Sequence, residues 1–273
     1  MPVESKLMID RSEMVSVFRR LTLEAGEIVM KFYGLESFDI KLKADNSPVT
    51  LADKEADIHI AKGIQQYFSS VPFVTEEQLQ THTRMYDSFI IVDPLDGTKE
   101  FINRNGDFTI NIAYVENGQP LVGVVYAPAK KRLFYTVSPS NAVEECYPFD
   151  KNIMGEIKHL KPRVPDNNNL IMVASKSHQN QETSDYISKY SVSTLKGAGS
   201  SLKFCLLASG EADIYPRLGR TMEWDTAAGQ AVLSSAGGKV AKLDDHSMLL
   251  YGKASYENPF FVAYVPGVKL KVK

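Results

Sequence analysis

The segment Ile90-Ile91-Val92-Asp93-Pro94-Leu95-Asp96-Gly97-Thr98 decides both the fold and the chemistry of this chain. Together with Phe89, its first residues form a short apolar run that predicts a buried strand. Pro94 predicts the end of that strand, because proline donates no hydrogen bond to a neighbouring strand. Asp93 and Asp96 would place two like charges side by side, which is costly in a buried turn unless a cation joins them. The segment therefore indicates a cation site at the end of a buried strand.

The same turn offers groups for both a cation and an anion. Magnesium prefers carboxylate and carbonyl oxygens, which Asp93, Asp96 and the main chain of Leu95 can supply. Gly97 would let a ligand approach the backbone, and Thr98 stands where a short helix can begin and present its amides to a phosphate. The alternative is an acidic surface turn built on Asp96-Gly97. The apolar run and the proline argue against it, because a solvated turn needs neither.

Three further acidic positions belong to the same hypothesis. Glu76-Glu77 follows a short apolar strand, Asp225 precedes a predicted helix, and Asp53 lies in the first turn of another. Each has a structural alternative: a solvated loop pair, an N-cap and a member of a capping box, respectively. From the residues alone these alternatives stay open.

The composition and net charge exclude several classes of protein for this chain. The chain has 273 residues, 44% of them hydrophobic, and a formal net charge of −2, which fits one large domain or two tightly packed halves. A charge so near zero argues against a nucleic-acid polymer as partner. Two cysteines are too few for a disulfide framework or a thiolate metal cluster. With no signal peptide and no long apolar run, no membrane span is expected and the expected compartment is the cytoplasm. Peripheral attachment to the inner membrane and the oligomeric state stay open.

The hydrophobic pattern predicts two halves. Residues 1–150 contain a helix over 12–33 with Ser12 as its N-cap, a helix over 51–68, and an antiparallel sheet with a hairpin at Asn117-Gly118. Residues 138–169 hold many turn formers and are interpreted as a connection. Residues 151–273 alternate strand and helix. We therefore predict an α+β half, with most metal ligands, followed by an α/β half that contains Asp225.

Four blocks resemble the inositol monophosphatase superfamily, and their order and spacing match it across nearly the whole chain. They are residues 92–98, Glu223-Trp224-Asp225-Thr226-Ala227-Ala228-Gly229, Ser47-Pro48-Val49-Thr50-Leu51-Ala52-Asp53, and Thr75-Glu76-Glu77. The resemblance implies a layered αβαβα sandwich of the inositol monophosphatase and sugar phosphatase type. Residues 98–102, 199–205 and 215–217 are similar to the nucleotidase branch of that superfamily. Gln78 and Lys176 depart from it, standing where this branch often has aspartate and arginine.

The resemblance also implies a metal site and a reaction. Two or three Mg²⁺ ions would be held by Glu76, Asp93, Asp96, Asp225 and the carbonyl of Leu95. Thr98 and Asp53 would orient a water and accept its proton, with Glu77 as a supporting group. Water would attack phosphorus directly, without a phosphoenzyme, and lithium inhibition is expected.

The implied substrate is adenosine 3′,5′-bisphosphate, a by-product of sulfate assimilation, which would be cleaved to AMP and phosphate. The expected substrate-binding residues are Glu76, Leu95, Asp96, Gly97, Thr98, Lys176, His178, Gly199, Ser200, Ser201, Lys203, Arg217 and Asp225. The four cationic residues among them are candidates for the second phosphate, with solvated surface charges as the alternative. An inositol monophosphatase, a broad sugar phosphatase and a non-catalytic phosphate-binding module remain competing hypotheses.

Overall fold

A computed structural model describes residues 10–35, 40–42, 48–175 and 180–272 of the chain. Its helices are α1 (Arg11–Tyr33), α2 (Leu51–Tyr67), α3 (Thr98–Ile102), α4 (Gln181–Ile187), α5 (Leu202–Ala208) and α6 (Ala227–Ser235). Its strands are β1 (Ile40–Leu42), β2 (Pro48–Thr50), β3 (Phe73–Thr75), β4 (Ser88–Asp96), β5 (Thr109–Glu116), β6 (Gln119–Ala127), β7 (Arg132–Ser138), β8 (Asn141–Glu145), β9 (Ile157–His159), β10 (Leu170–Ser175), β11 (Val192–Ala198), β12 (Ile214–Arg217), β13 (Lys239–Lys242) and β14 (Phe261–Tyr264).

These elements form the layered αβαβα arrangement. A seven-stranded sheet has the order β3-β4-β5-β6-β7-β8-β9 and is antiparallel except for the parallel pair β3/β4. Helices α1 and α2 bury their apolar faces against one side of it. Helices α5 and α6 pack on its other side, against a core shared with the five-stranded sheet β11-β10-β12-β14-β13, and α4 contacts β12 of that sheet.

The first two helices form for local reasons that the sequence largely shows. Thr50 and Asp53 form a capping box at the start of α2, as predicted. Helix α1 ends at Tyr33, also as predicted, but its N-cap is Asp10. The Asp10 carboxylate accepts a hydrogen bond from the amide of Ser12, so the prediction of Ser12 as N-cap was wrong by two residues.

The prediction that Pro94 ends its strand was also wrong, because β4 continues to Asp96. Asp93 pairs with Asn111 and Asp96 with Thr109, so β4 has one more residue than β5 between these pairs. This β-bulge tolerates the proline, because its extra residue needs no ladder hydrogen bond.

The segment 138–169, interpreted as a connection, contains β8 and β9, which extend the seven-stranded sheet. The change from one sheet to the other therefore comes between His159 and Leu170, after residue 150. The division of the chain into two halves stays a prediction. The hairpin at Asn117-Gly118 is confirmed, with φ angles of 50° and 75° that suit a type I′ turn. Among the described residues, no helix has the length and apolar character needed to cross a membrane.

Gly123 fixes how closely α6 approaches the seven-stranded sheet. A Cβ atom at this position of β6 would lie 2.5 Å from the carbonyl oxygen of Ala228 and 2.7 Å from the Cβ of Ala231. Neither neighbour can move away without shifting the helix, because one is a backbone atom and the other a Cβ. The glycine therefore sets the distance between the layer that holds Asp225 and the sheet that holds Asp93.

We expect Gly123→Ala to lower the free energy of unfolding by about 1–3 kcal/mol, the usual cost of overpacking a core. Urea denaturation followed by circular dichroism measures this change. Gly34→Ala is the matched control, because its Cβ would meet nothing nearer than 3.5 Å. Equal stability of the two variants would contradict the role given to Gly123.

Candidate metal and phosphate site

Strand pairing brings two acidic residues together at one end of the seven-stranded sheet. Strands β3 and β4 run parallel, with Thr75 opposite Val92. The next residues along the two strands, Glu76 and Asp93, are therefore neighbours, and the amide of Glu76 donates to the carbonyl of Val92 at 3.1 Å. Asp225 arrives from the turn before α6. One carboxylate oxygen from each of Glu76, Asp93 and Asp225 lies within 4.8 Å of the others.

Asp96 lines the same cavity and is held from two sides. Its Oδ2 accepts hydrogen bonds from the amide of Ser201 at 2.6 Å and from Nδ2 of Asn111 at 3.4 Å. Ser201 also donates to Oδ1 of Asn111 at 2.6 Å. Two segments far apart in sequence thus fix the orientation of one carboxylate.

Asp93 is the carboxylate whose surroundings most clearly require a cation. Its Oδ1 accepts from the amide of Leu95 at 3.1 Å, but its buried Oδ2 has no hydrogen-bond donor among the described residues. Burial raises the pKa of Asp93 well above its ordinary value, and the negative charges of Glu76, Asp96 and Asp225 raise it further. A buried oxygen without a donor, surrounded by other carboxylates, fits a ligand of a metal ion.

The pKa values of Asp225 and Asp96, two half-buried residues, are shifted in the same direction. Burial raises the pKa of Asp225 well above its ordinary value, and the charges of Asp96 and Glu76 add to the effect. Burial also raises the pKa of Asp96 to about 7, although Lys203 and the amide of Ser201 act against the shift. A bound divalent cation would reverse these shifts. The donor set is entirely carboxylate, with the Leu95 carbonyl nearby, and such oxygen ligands suit Mg²⁺, Mn²⁺ or Ca²⁺.

Asp53 and Thr98 form a hydrogen-bonded pair next to the carboxylates. The Thr98 hydroxyl donates to Oδ1 of Asp53 at 2.9 Å and lies 3.3 Å from the Leu95 carbonyl. Oδ2 of Asp53 accepts from both the amide and the hydroxyl of Thr50, at 2.8 and 2.6 Å. Burial raises the pKa of Asp53, and the hydrogen bonds from Thr50 and Thr98 oppose that shift. Thr98 lines the cavity, whereas Asp53 is 1% exposed and reaches it through Thr98.

Gly97 is required by both its conformation and its neighbours. Its φ is 90°, in the left-handed region, and an added Cβ would lie 2.3 Å from Oγ of Ser200. The Ser200 hydroxyl is within 2.8 Å of the carbonyls of Asp96 and Asp107. The turn before α3 therefore packs directly against the turn before α5.

Part of the cavity lining is a cationic wall, formed by Lys203, Arg217 and Arg220. Arg217 donates through Nη2 to the carbonyl of Arg220 at 2.8 Å, and its buried Nε has no partner among the described residues. Lys203 is 3% exposed and its Nζ donates to the Ser200 carbonyl at 2.6 Å. Burial lowers the pKa of Lys203 to about 8, Arg217 lowers it further, and Asp96 opposes the shift.

The other predicted site residues lie less directly at the cavity. Gly199 and Ser201 lie behind its wall, and Ser201, at 2% exposure, supports Asp96. Glu77 follows Glu76 but does not line the cavity. Lys176 and His178 fall outside the described residues. The roles assigned to all of these from sequence stay predictions.

The sequence interpretation missed two residues of this site. Asn111 supports Asp96, and Arg220 extends the cationic wall. Asn111 had a detectable signal, because Thr109 and Asn111 are polar residues two apart in an otherwise apolar strand, and therefore on one face of it. Arg220 had none, since a single arginine in a loop is an ordinary surface residue.

Comparisons with known proteins agree with the geometry. The model of the inositol monophosphatase family matches residues 10–262. The 3′(2′),5′-bisphosphate nucleotidase CysQ of Escherichia coli K12 is 39% identical over 248 residues, covering 89% of this chain and 96% of that protein. The protein of the same name from Buchnera aphidicola is 40% identical over 231 residues, or 84% of each chain. The crystal structure of CysQ from Bacteroides thetaiotaomicron superposes with a TM-score of 0.79 at 36% identity, covering 93% of this chain and 97% of that one.

The raised pKa values predict how stability depends on pH without metal. Asp93, Asp96 and Asp225 bind protons more tightly in the folded chain than at their ordinary value of 3.8. Their contribution to folding is therefore complete below about pH 4 and is lost as the pH rises through the raised values, which is about 7 for Asp96. With EDTA, we expect the free energy of unfolding to fall across this range, and millimolar Mg²⁺ to remove most of the fall. Urea denaturation at several pH values tests this.

We expect Asp93→Asn to have opposite effects on the stability of the metal-free chain and on metal-dependent activity. The amide supplies donors where the carboxylate repelled its neighbours, so the metal-free variant should exceed the parent in stability at pH 8 and lose that advantage near pH 4. Its metal-dependent activity should fall at least about 100-fold, because even outer-shell partners of a metal are worth about 10–100-fold. The exposed Asp87→Asn is the matched control. A destabilised Asp93→Asn variant with normal activity would rule out a metal ligand at this position.

Proposed function

This chain belongs to the inositol monophosphatase family, and on that premise we propose that it is a magnesium-dependent 3′(2′),5′-bisphosphate nucleotidase. Its substrate would be adenosine 3′,5′-bisphosphate, which it cleaves to AMP and phosphate, removing a by-product of sulfate assimilation. The names of the relatives at 39% and 40% identity support this proposal. The observation that carries it is a single cavity lined by both a cluster of carboxylates and a group of cationic side chains.

The two kinds of lining residue match the two phosphates of such a substrate. The phosphate to be hydrolysed belongs at the carboxylates, where bound metal ions would neutralise it. The second phosphate needs partners of its own, and Arg217 and Arg220 offer guanidinium groups suited to phosphate oxygens. An inositol monophosphate has no second phosphate, so it would give Arg217, whose buried Nε has no partner among the described residues, no phosphate oxygen to bind. The cationic wall therefore favours the bisphosphate over the inositol ester.

We assign the metal ligands to the carboxylates of Glu76, Asp93, Asp96 and Asp225 and to the carbonyl of Leu95, for two or three Mg²⁺ ions. Asp93 supports this assignment most directly, because its Oδ2 has no hydrogen-bond donor among the described residues. Bound Mg²⁺ would supply charge neutralisation of the phosphoryl oxygens and a more acidic water.

Asp53 and Thr98 would accept the proton of the attacking water. The Thr98 hydroxyl donates to Asp53, so its own oxygen is available to accept a hydrogen bond from a water in the cavity. As the water oxygen attacks phosphorus, its proton passes to Thr98 while the Thr98 proton moves to Asp53. The bond to the 3′ oxygen breaks, and this oxygen takes a proton from a second water to become the 3′ hydroxyl of AMP. The raised pKa of Asp53 makes it a better proton acceptor than an exposed aspartate.

A comparison of substrates tests the proposal. We expect phosphate release from adenosine 3′,5′-bisphosphate to exceed release from inositol 1-phosphate, and to require Mg²⁺ in both cases. A preference for the inositol ester would contradict the substrate and leave the reaction class standing. No release from any monoester with saturating Mg²⁺ would instead support a non-catalytic phosphate-binding module.

Arg217→Ala tests the second phosphate site. For adenosine 3′,5′-bisphosphate we expect KM to rise roughly 10- to 100-fold, the value of a hydrogen bond to a charged group. For 3′-AMP, which lacks the 5′-phosphate, KM should stay nearly unchanged. Arg84→Ala is the control, since Arg84 is exposed and does not line the cavity. An equal rise in KM for both nucleotides would place Arg217 at a part of the substrate other than the 5′-phosphate.

A further inference from the structure

His82 contacts the two chain segments that carry Glu76 and Asp225. It lies in a 3₁₀ turn, Leu79–Thr83, and is partly buried. Its Nε2 is 2.7 Å from the carbonyl oxygen of Thr75. Its ring stacks on the indole of Trp224, with 4.8 Å between the centroids and 26° between the planes. No sequence motif singled out this histidine.

Each contact is one residue away from a proposed metal ligand. Thr75 directly precedes Glu76 in the chain, and Trp224 directly precedes Asp225. The Thr75 carbonyl only accepts hydrogen bonds, so Nε2 of His82 carries a proton and donates it. The imidazole therefore joins the end of β3 to the turn before α6 through one hydrogen bond and one stacked face.

The turn that carries His82 is itself attached to β3, so the ring has a defined position. The Thr81 hydroxyl donates to the Gln78 carbonyl at 2.7 Å and accepts from the Thr75 amide at 3.2 Å. The Thr75 hydroxyl donates to Asp57 on α2. Thr75 is thus fixed at its amide, carbonyl and hydroxyl, and His82 connects this fixed unit directly to Trp224.

We propose that His82 is a positioning residue that sets the spacing between Glu76 and Asp225 and thereby the affinity for divalent cations. The inference rests on the metal site of the proposed function. Ligand oxygens must be held within about 0.5 Å of the binding geometry, and outer-shell partners contribute about 10- to 100-fold to metal affinity. His82 acts on both ligand segments without itself reaching the ion. It is neither a ligand nor a catalytic residue.

Direct Mn²⁺ binding to the intact protein tests this without relying on turnover. Free Mn²⁺ is measured by electron paramagnetic resonance for the parent and for His82→Ala, His82→Phe and His82→Gln. We expect the dissociation constant of His82→Ala to rise roughly 10- to 100-fold. His82→Phe retains the stacked ring and His82→Gln retains a hydrogen-bond donor, so both should fall between the parent and His82→Ala. His159→Ala, on the exposed edge strand β9, is the matched control and should bind like the parent.

A second measurement separates positioning from a loss of general stability. Trp224 is the only tryptophan of the chain, so its fluorescence reports directly on the stacked face. We expect its emission to change in His82→Ala and to stay closer to the parent in His82→Phe. In activity assays of His82→Ala, we expect the Mg²⁺ concentration for half-maximal activity to rise by a larger factor than the factor by which kcat at saturating Mg²⁺ falls.

Three outcomes would overturn the inference. The first is a dissociation constant of His82→Ala within twofold of the parent, with the parent binding Mn²⁺ normally. The second is a loss of thermal stability in His82→Ala and His82→Phe with Mn²⁺ affinity unchanged in both. The third is a parent protein that binds no Mn²⁺, which would remove the metal site of the proposed function together with this inference. The first two leave that function intact.

Discussion

Mutual repulsion among clustered carboxylates is the constraint on which the rest of this structure depends. Glu76, Asp93 and Asp225 bring oxygens within 4.8 Å of each other, and Asp93, at 1% exposure, has almost no contact with water that could screen its charge. Burial and repulsion both favour the protonated form of Asp93, which is the direction of its shifted pKa. Hydrophobic burial elsewhere in the layers must outweigh this local cost in the metal-free chain. With a divalent cation bound, the same arrangement becomes a source of stability, because attraction to the ion replaces the repulsion.

The second sheet and its helices complete a site that the first sheet only begins. The bulge in β4 places Asp93 and Asp96 at the cavity, but the amide of Ser201 orients Asp96 and the turn before α6 supplies Asp225. Gly97 and Gly123 set how near those later segments can come, since a side chain at either position would meet atoms at 2.3–2.5 Å. The spacing of the carboxylates therefore depends on packing between layers. Asp93 lies on the seven-stranded sheet and Asp225 in the turn before α6, so the distance between them changes with the distance between that sheet and that helix.

The sequence predicted best what depends on periodicity and on local chemistry. The apolar run of β4, the capping box of α2 and the hairpin at Asn117-Gly118 follow from the residues themselves. The sequence-based prediction failed where a contact with a distant segment determines the local structure. Pro94 lies within a strand because the pairing of β4 with β5 contains a bulge, and β9 forms because it pairs with β8 at the edge of the sheet. The role of Ser201 as a substrate contact stays a prediction. Its contact with Asp96, a residue 105 positions earlier, could not be predicted from the sequence, because the structure alone shows that the Ser201 amide donates to this carboxylate.

The departure at Gln78 has a local electrostatic reason. The resemblance implies an aspartate at this position, but here the Gln78 amide donates to Oδ2 of Asp57 at 2.8 Å. Asp57 is 3% exposed and also accepts from the Thr75 hydroxyl. A carboxylate at the half-buried position 78 would repel the buried Asp57 carboxylate in place of donating a hydrogen bond to it. Glutamine thus preserves the fixed position of Thr75, and through it the direction in which Glu76 leaves β3. The residue pair at 57 and 78, and not position 78 alone, is what this part of the site requires.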